Sequence, residues 1–289
     1  MSLKSRSKLG IWPSIRGLVI VGVIVTSWAA TTMVAPPVNA QEEPLVFCSD
    51  LAFPPMEFLE GSEAVGADID IAKEVGERIG RTAEFTNIGF DGIIAALQSD
   101  LCDAIISGMN NTPERAEQVD FVNYLFVGQS LVVHAGNPEG ITSLETLCGH
   151  AAGAQVGSTN LDTLNAANEA CSAAGEEGID VTGYPSDTDG ILALKADRID
   201  AYETDSPVAA YYIAQEPESF EFGGPAIDAL PVGIALRKDN TELRDQIQTA
   251  IDEMYADGTM MEILEKWQLQ DFALPEAVGA TPVATPAES

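Results

Sequence analysis

The sequence predicts an α/β protein built as two similar halves, and three features lead there. Short apolar runs alternate with segments of helical periodicity, the pattern of a parallel sheet covered by helices. The alternation restarts after residue 130. The chain has 289 residues, and removal of an N-terminal leader leaves 249, enough for two units of ordinary size.

Leu45-Val46-Phe47-Cys48 is a short apolar run that stops at Ser49-Asp50, as a buried parallel strand does. Ile69, Ala72, Val75, Glu77 and Ile79 follow at helical spacing from a Gly-Ala-Asp start. Asp91 opens another helix, residues 103–107 read as a second buried strand, and Thr112-Pro113 starts a helix with Thr as cap and Pro in first position. In the second half, strands are expected over 130–133, 150–156, 178–184 and 199–204. Helices are expected from Ser158, near Asp189 and from Ser206-Pro207. Thr241 reads as the cap of a helix running to about Ala256; Gly258 breaks it, and Met261, Leu264 and Trp267 continue an apolar stripe. Residues 271–289, rich in Pro, Ala and Thr, read as a disordered tail.

The charge excludes several functions. Fourteen Lys and Arg stand against 45 Asp and Glu, a net charge of −31, which repels nucleic-acid backbones and acidic membrane surfaces alike. Disorder does not follow from this acidity, because 46% of the residues are hydrophobic. Residues 1–40 carry no acid but hold Lys4, Arg6, Lys8 and Arg16 ahead of an apolar stretch over 17–34, then Val38-Asn39-Ala40. A basic segment, an apolar core and small residues at −3 and −1 make a secretory signal cleaved after Ala40, so a periplasmic or otherwise extracytoplasmic location is expected. The mature chain then holds six arginines and four lysines.

Four cysteines in an exported chain suggest disulfides. Cys148 precedes a strand and Cys171 ends the helix after it, which places them at one edge of a βα unit and favours a bridge. Cys48 and Cys102 are left as a second pair or as two buried thiols.

In open α/β sheets ligands bind beyond the carboxyl ends of strands, beside helix N-termini. Three junctions have that form. In 107–115 (SGMNNTPER), Arg115 sits in a helix's first turn, where the macrodipole opposes a cation by about 0.3–1 kcal/mol; an anion bound there would compensate, and a guanidinium fork beside backbone N–H groups suits a carboxylate. A pairing of Arg115 with Glu114 or Glu117 on a solvated face is the plainer alternative. In 155–160 (QVGSTN), a glycine turn and hydroxyls again precede a helix. In 202–207 (YETDSP), Ser206 can cap and Pro207 can start the helix, leaving Asp205 free to meet an ammonium. A cation for a carboxylate and an acid for an ammonium together suit a zwitterionic amino acid.

The blocks SDLAFPPMEF (49–58), GADIDIA (66–72), FDGIIAAL (90–97), CDAIISGMNNTPERAEQVDF (102–121), LCGHAAGAQVGST (147–159) and RIDAYETDSP (198–207) resemble the extracellular amino-acid-binding proteins of ABC importers, solute-binding protein family 3. The likeness runs from about Leu45 to Leu269. It implies the type II periplasmic-binding-protein fold, two α/β lobes joined by two hinge strands, with lobe 1 over 41–126 plus 230–270 and lobe 2 over 127–229. It implies that Arg115 and Thr159 bind the ligand α-carboxylate, with Gly108 and Asn110 adding bonds, and that Asp205 takes the α-ammonium. Phe53 and Phe90 match apolar walls around the side chain, and Asp50 an acid near its far end. Gln155 stands where the glutamine-binding pattern has lysine, and Thr204 where it has histidine, which departs from glutamine specificity; Asp50 with Gln155 and no nearby base suggests a polar or cationic side chain. The implied partners are an amino acid and a membrane permease with its ATPase; a monomer without cofactor is expected.

The rival class is an enzyme, because some proteins resembling this family are dehydratases of prephenate or arogenate. Glu203 or Asp50 would then be the general acid. The sequence holds no G-x-S-x-G elbow, P-loop, Rossmann glycine fingerprint or metal-spaced His/Cys group, and both His134 and His150 read as structural. Binding is therefore the expected function.

Overall fold

The computed structural model describes residues 43–275; the leader with its cleavage site, and the tail beyond Pro275, lie outside them. The first half opens with β1 (Leu45–Ser49), the short antiparallel strands β2 (Ala52–Phe53), β3 (Glu57–Glu60) and β4 (Glu63–Val65), and α1 (Ala67–Arg78). It continues through β5 (Ala83–Asn87), α2 (Ile93–Gln98), β6 (Ala104–Ile105) and α3 (Pro113–Ala116). The 15-residue β7 (Asp120–His134) crosses into the second half. There β8 (Ala151–Gln155), α4 (Thr159–Ala174), β9 (Asp180–Tyr184), α5 (Asp187–Lys195), β10 (Ala201–Asp205), α6 (Ser206–Gln215) and β11 (Phe220–Phe222) follow. The chain returns along β12 (Ile227–Leu236) and ends its folded part with α7 (Thr241–Asp257) and α8 (Thr259–Lys266).

The halves share one sheet, in the order β5-β1-β6-β12-β7-β10-β8-β9, with β11 added on β7. β1 pairs in parallel with β5 and β6, and β8 in parallel with β9 and β10, as the alternating pattern requires. The centre is different. β7 and β12 run antiparallel from Gln129–Ile227 to Asp120–Leu236, with register shifts at Ile227/Ala229 and Val232/Gly233. They are the two strands that join the halves, and the breaks expected at 126/127 and 229/230 fall within them.

Period-two alternation sends successive side chains to opposite faces, so each half has two cores. Phe47 joins Ile71, Val75, Ile247, Met254 and Leu264 under α1, α7 and α8. Its neighbour Cys48 joins Ile93, Leu97, Ile105 and Met109 under α2. In the second half Leu131 and Val133 pack on α4 through Leu164 and Cys171, whereas Val132 packs on α5 through Ile191 and Leu194. Both disulfides are formed: Cys148–Cys171 clips the entrance of β8 to the end of α4, and Cys48–Cys102 joins β1 to the turn before β6, each with Cα atoms 5.6 Å apart.

Several expectations need correction. The strand expected over 130–133 is the end of β7; Asn123, Gly128 and Gln129 interrupt its apolar run and hid the rest. The strand expected over 103–107 pairs only at Ala104–Ile105. The cap of α7 is Asn240, which accepts from the Leu243 N–H at 3.4 Å, and Thr241 is already helical. Ser206 likewise lies inside α6, with Asp205 in the cap position. Residues 271–275 are not tail-like: Gln270–Phe272 form a 3-10 turn and Ala273 bridges to Leu125.

Candidate functional site

The cleft lies where the strand-end rule puts it. Asp50 follows β1, Ser107 and Gly108 follow β6, Gln155 closes β8 and Asp205 closes β10; all line one enclosed space with Phe53, Phe90, Asn110 and Arg115.

Arg115 reaches it because α3 starts where it does. Thr112 caps the helix, accepting from the Arg115 N–H at 3.3 Å, and the guanidinium then folds back over the helix start. It donates to the Asn110 carbonyl at 2.9 Å and, from the other half, to the Gly157 carbonyl at 3.0 Å; its centre lies 5.3 Å from the Phe90 ring centroid. Among the described residues it makes no ion pair with Glu114 or Glu117. Burial pushes its pKa down and the charges of Asp205, Asp162 and Glu114 push it up; a guanidinium stays charged throughout. A desolvated cation bonded only to neutral carbonyls retains its attraction for an anion.

Asp205 is the opposing charge. Its carboxylate makes no cap bond to α6 and instead accepts from Asn160 Nδ2 at 3.3 Å. Burial raises its pKa to about 7 against the lowering by Asn160 and Arg115. Asp50 accepts from Gln155 Nε2 at 2.6 Å and from the Phe90 N–H at 3.3 Å, and burial again lifts its pKa. Gly108, at φ +52°, lies flat under Phe53: a Cβ there would stand 2.7 Å from the ring, which explains the glycine. Its N–H is already bonded to Asp68 at 2.9 Å, so only its carbonyl remains for a ligand.

Two expected residues do not line the cleft. Thr159 bridges the halves, donating to Asn110 Oδ1 at 2.8 Å and accepting from Gln129 Nε2 at 3.0 Å. Thr204 points to the other face of β10 and donates to Asp187 Oδ1 at 2.9 Å. A β-strand alternates faces, and Thr204 shares the Tyr202 side, not the Asp205 side.

The cleft also contains Glu57, Ser107, Ser158, Asn160 and Asp187, which sequence reasoning did not select. Ser107, Ser158 and Asn160 lie inside the junction segments singled out from the sequence. Ser107 Oγ accepts from the Asp50 N–H at 2.9 Å and donates to Glu57 at 2.7 Å, which fixes the Asp50 loop. Burial, then the neighbouring charge of Asp68, raises Glu57 well above the usual carboxylate range. Asp187 accepts from Tyr202 and Thr204, and burial raises it to about 7. Glu203 is fully buried outside the cleft lining, and burial raises it to about 9.

Two α/β halves that share hinge strands and turn buried charges into one cleft define a protein that closes around a small ligand. The sequence relatives agree. Residues 45–270 match the bacterial extracellular solute-binding proteins, family 3, and the chain belongs to that family. The arginine-binding extracellular protein ArtP of Bacillus subtilis is 31% identical over 225 residues, 77% of this chain and 85% of that protein. The histidine-binding periplasmic protein of Escherichia coli K12 is 31% identical over 212 residues, 71% of this chain and 79% of that protein. Among solved structures, an ancestral arginine-binding protein bound to arginine superposes with a TM-score of 0.72 at 39% identity, covering 78% of this chain and 99% of the other. An ancestral amino acid-binding protein described as a precursor of cyclohexadienyl dehydratase gives 0.69 at 30%, covering 78% and 95%. The family and these named sequence relatives are binding proteins, not enzymes.

Proposed function

We propose that the protein is the substrate-binding component of an ABC importer and captures an L-amino acid with a polar or cationic side chain between its lobes. The observation that carries this is the pairing of Arg115 and Asp205 in one cleft: a cation from lobe 1 and a carboxylate from lobe 2 match the two charges of a zwitterion. Arg115 takes the α-carboxylate with Asn110 beside it, Thr159 holding Asn110 from the other lobe, and Asp205 with the Gly108 carbonyl takes the α-ammonium. Phe53 and Phe90 enclose the side chain. Asp50 and Gln155 meet its polar end. The relatives named as arginine- and histidine-binding proteins support a nitrogen-rich ligand.

Closure would couple ligand binding to the contact between the lobes. Four hydrogen bonds among the described residues cross between the lobes: Arg115 to Gly157, Gln155 to Asp50, Thr159 to Asn110, and Thr188 to the Ala52 carbonyl. The two neutral bonds are worth about 0.5–1.5 kcal/mol net each and the two with a charged partner about 1.5–3 kcal/mol, and a ligand that touches both lobes adds to them by its differential affinity for the closed form. Bending occurs in β7 and β12. A monomer released outside the cytoplasm by cleavage after Ala40 would deliver its ligand to a permease driven by a cytoplasmic ATPase.

A thermal-shift screen of the exported protein against the common L-amino acids tests the reading, because a ligand that binds only the folded state raises its melting temperature. A shift with one or a few polar or cationic amino acids is expected. A flat response across the set overturns the assignment.

A further inference from the structure

Resting on the amino-acid reading above, we infer that Asp187 of lobe 2 and Asp50 of lobe 1 form a carboxylate pair that holds the positively charged end of the ligand side chain, with Asp187 as the residue that selects for charge. The four acids lining the cleft are Asp50, Glu57, Asp187 and Asp205, against the single cation Arg115. The α-carboxylate occupies Arg115 and the α-ammonium occupies Asp205. Glu57 accepts from Ser107 and stands beside Asp68, which favours its protonated form. Asp50 and Asp187 remain, one from each lobe.

The hydrogen bonding of the pair is incomplete. Asp50 Oδ2 is engaged by Gln155 and Phe90, and nothing among the described residues bonds its Oδ1. Asp187 is 2% exposed; its Oδ1 accepts from Tyr202 and Thr204 at 2.9 Å each, while its Oδ2 is buried without any partner. An unpartnered buried carboxylate oxygen is costly, so such a group is retained where a donor arrives from elsewhere. A helix-dipole role does not account for it. Ser186 caps α5 through the Asp189 N–H at 3.1 Å and Asp189 is the acid on the exposed side, whereas Asp187 turns inward. Two hydroxyls hold its carboxylate in one orientation, which is what a planar donor fork requires. This also gives Thr204 its place: it positions Asp187 and does not touch ligand.

Calorimetry with L-arginine and L-citrulline tests the pair, because citrulline replaces the guanidinium by a neutral group of nearly the same shape. The wild-type protein should bind arginine at least about 10-fold more tightly than citrulline, the difference expected when a charged hydrogen-bonding partner is lost. Asp187→Asn keeps an acceptor for Tyr202 and Thr204; it should weaken arginine about 10- to 100-fold and leave citrulline within about threefold. Thr204→Val, which leaves the acid but frees its orientation, should weaken arginine alone and by less. Equal wild-type affinities, or equal losses for both ligands in Asp187→Asn, overturn the pair while leaving an amino-acid-binding protein. Absence of binding by both ligands and by every amino acid of the thermal-shift screen overturns the pair and the reading beneath it together.

Discussion

Gln155 donates its side-chain amide to the Asp50 carboxylate across the cleft at 2.6 Å. The bond joins the ends of two strands from different lobes, so it exists only in the closed arrangement. Its donor carries no charge. Lysine at 155 would place a cation against Asp50 and near Asp187, cancelling the attraction for a charged side chain. Gln155→Lys should therefore lower arginine affinity by about 10-fold or more and leave glutamine affinity equal or improved, measured by calorimetry on both ligands.

Arg115 is the next test. Its removal leaves two carbonyls without a donor and takes away the cation that lowers the Asp205 pKa, but it breaks no direct ion pair, and Asp205 can take up a proton in response. Arg115→Ala should reduce amino-acid binding by at least about 100-fold, as loss of a buried charge-assisted pair does, with circular dichroism and melting near wild type. Unchanged affinity would remove Arg115 from the site.

Acidity has a definite sign here. Burial lifts Asp187 and Asp205 from 3.8 to about 7. Between those values the ligand-free folded protein holds protons that the unfolded chain has released, so the stability these groups give is complete below pH 3.8 and is lost as pH rises towards 7. Asp187 is faced by Tyr202, Asp205 and Asp50, all acidic or neutral, which keeps the sign. Asp187→Asn should flatten the fall in ligand-free melting temperature between pH 4 and 7 relative to wild type. A bound cation needs the ionised acids, so ligand-induced melting shifts should shrink as pH drops below about 7. Melting curves with and without arginine across that range measure both.

Gly157 carries a third kind of constraint. Its φ is +79°, its carbonyl accepts from Arg115, and a Cβ would stand 3.1 Å from the Asp91 Cα of the facing lobe. Gly157→Ala meets a backbone cost of roughly 1–2 kcal/mol in either arrangement and a clash only when closed. Ligand affinity should fall by about 10-fold or more, while ligand-free melting falls by a few degrees only. An unaltered affinity would mean that closure does not bring Gly157 to Asp91.

The strand-end rule found Arg115, Gln155 and Asp205 from sequence because each follows a recognisable strand or caps a helix start. Asp187 obeys the same rule after β9, and both that strand and the helix after it are expected from sequence; but two acids, Asp187 and Asp189, stand at that helix start, and nothing in the sequence tells which of them turns inward. Thr204 was misplaced by resemblance: only the alternation along β10 tells which neighbours face the cleft. The hinge strands were the least legible. Their centres serve two lobes at once, so no single buried face imposes a pattern on Asn123, Gly128 and Gln129. Glu57 gave no periodic signal, since its burial depends on Ser107 and Asp68 from distant segments.

β7 and β12 have a thermal consequence. Each strand contributes side chains to cores on both sides of the hinge: Val122 and Tyr124 pack in lobe 1, Leu131 and Val133 in lobe 2. Losing either lobe strips one end of a ladder that the other lobe still needs. Two lobes tied in this way should melt as one cooperative unit, with calorimetric and van't Hoff enthalpies in agreement.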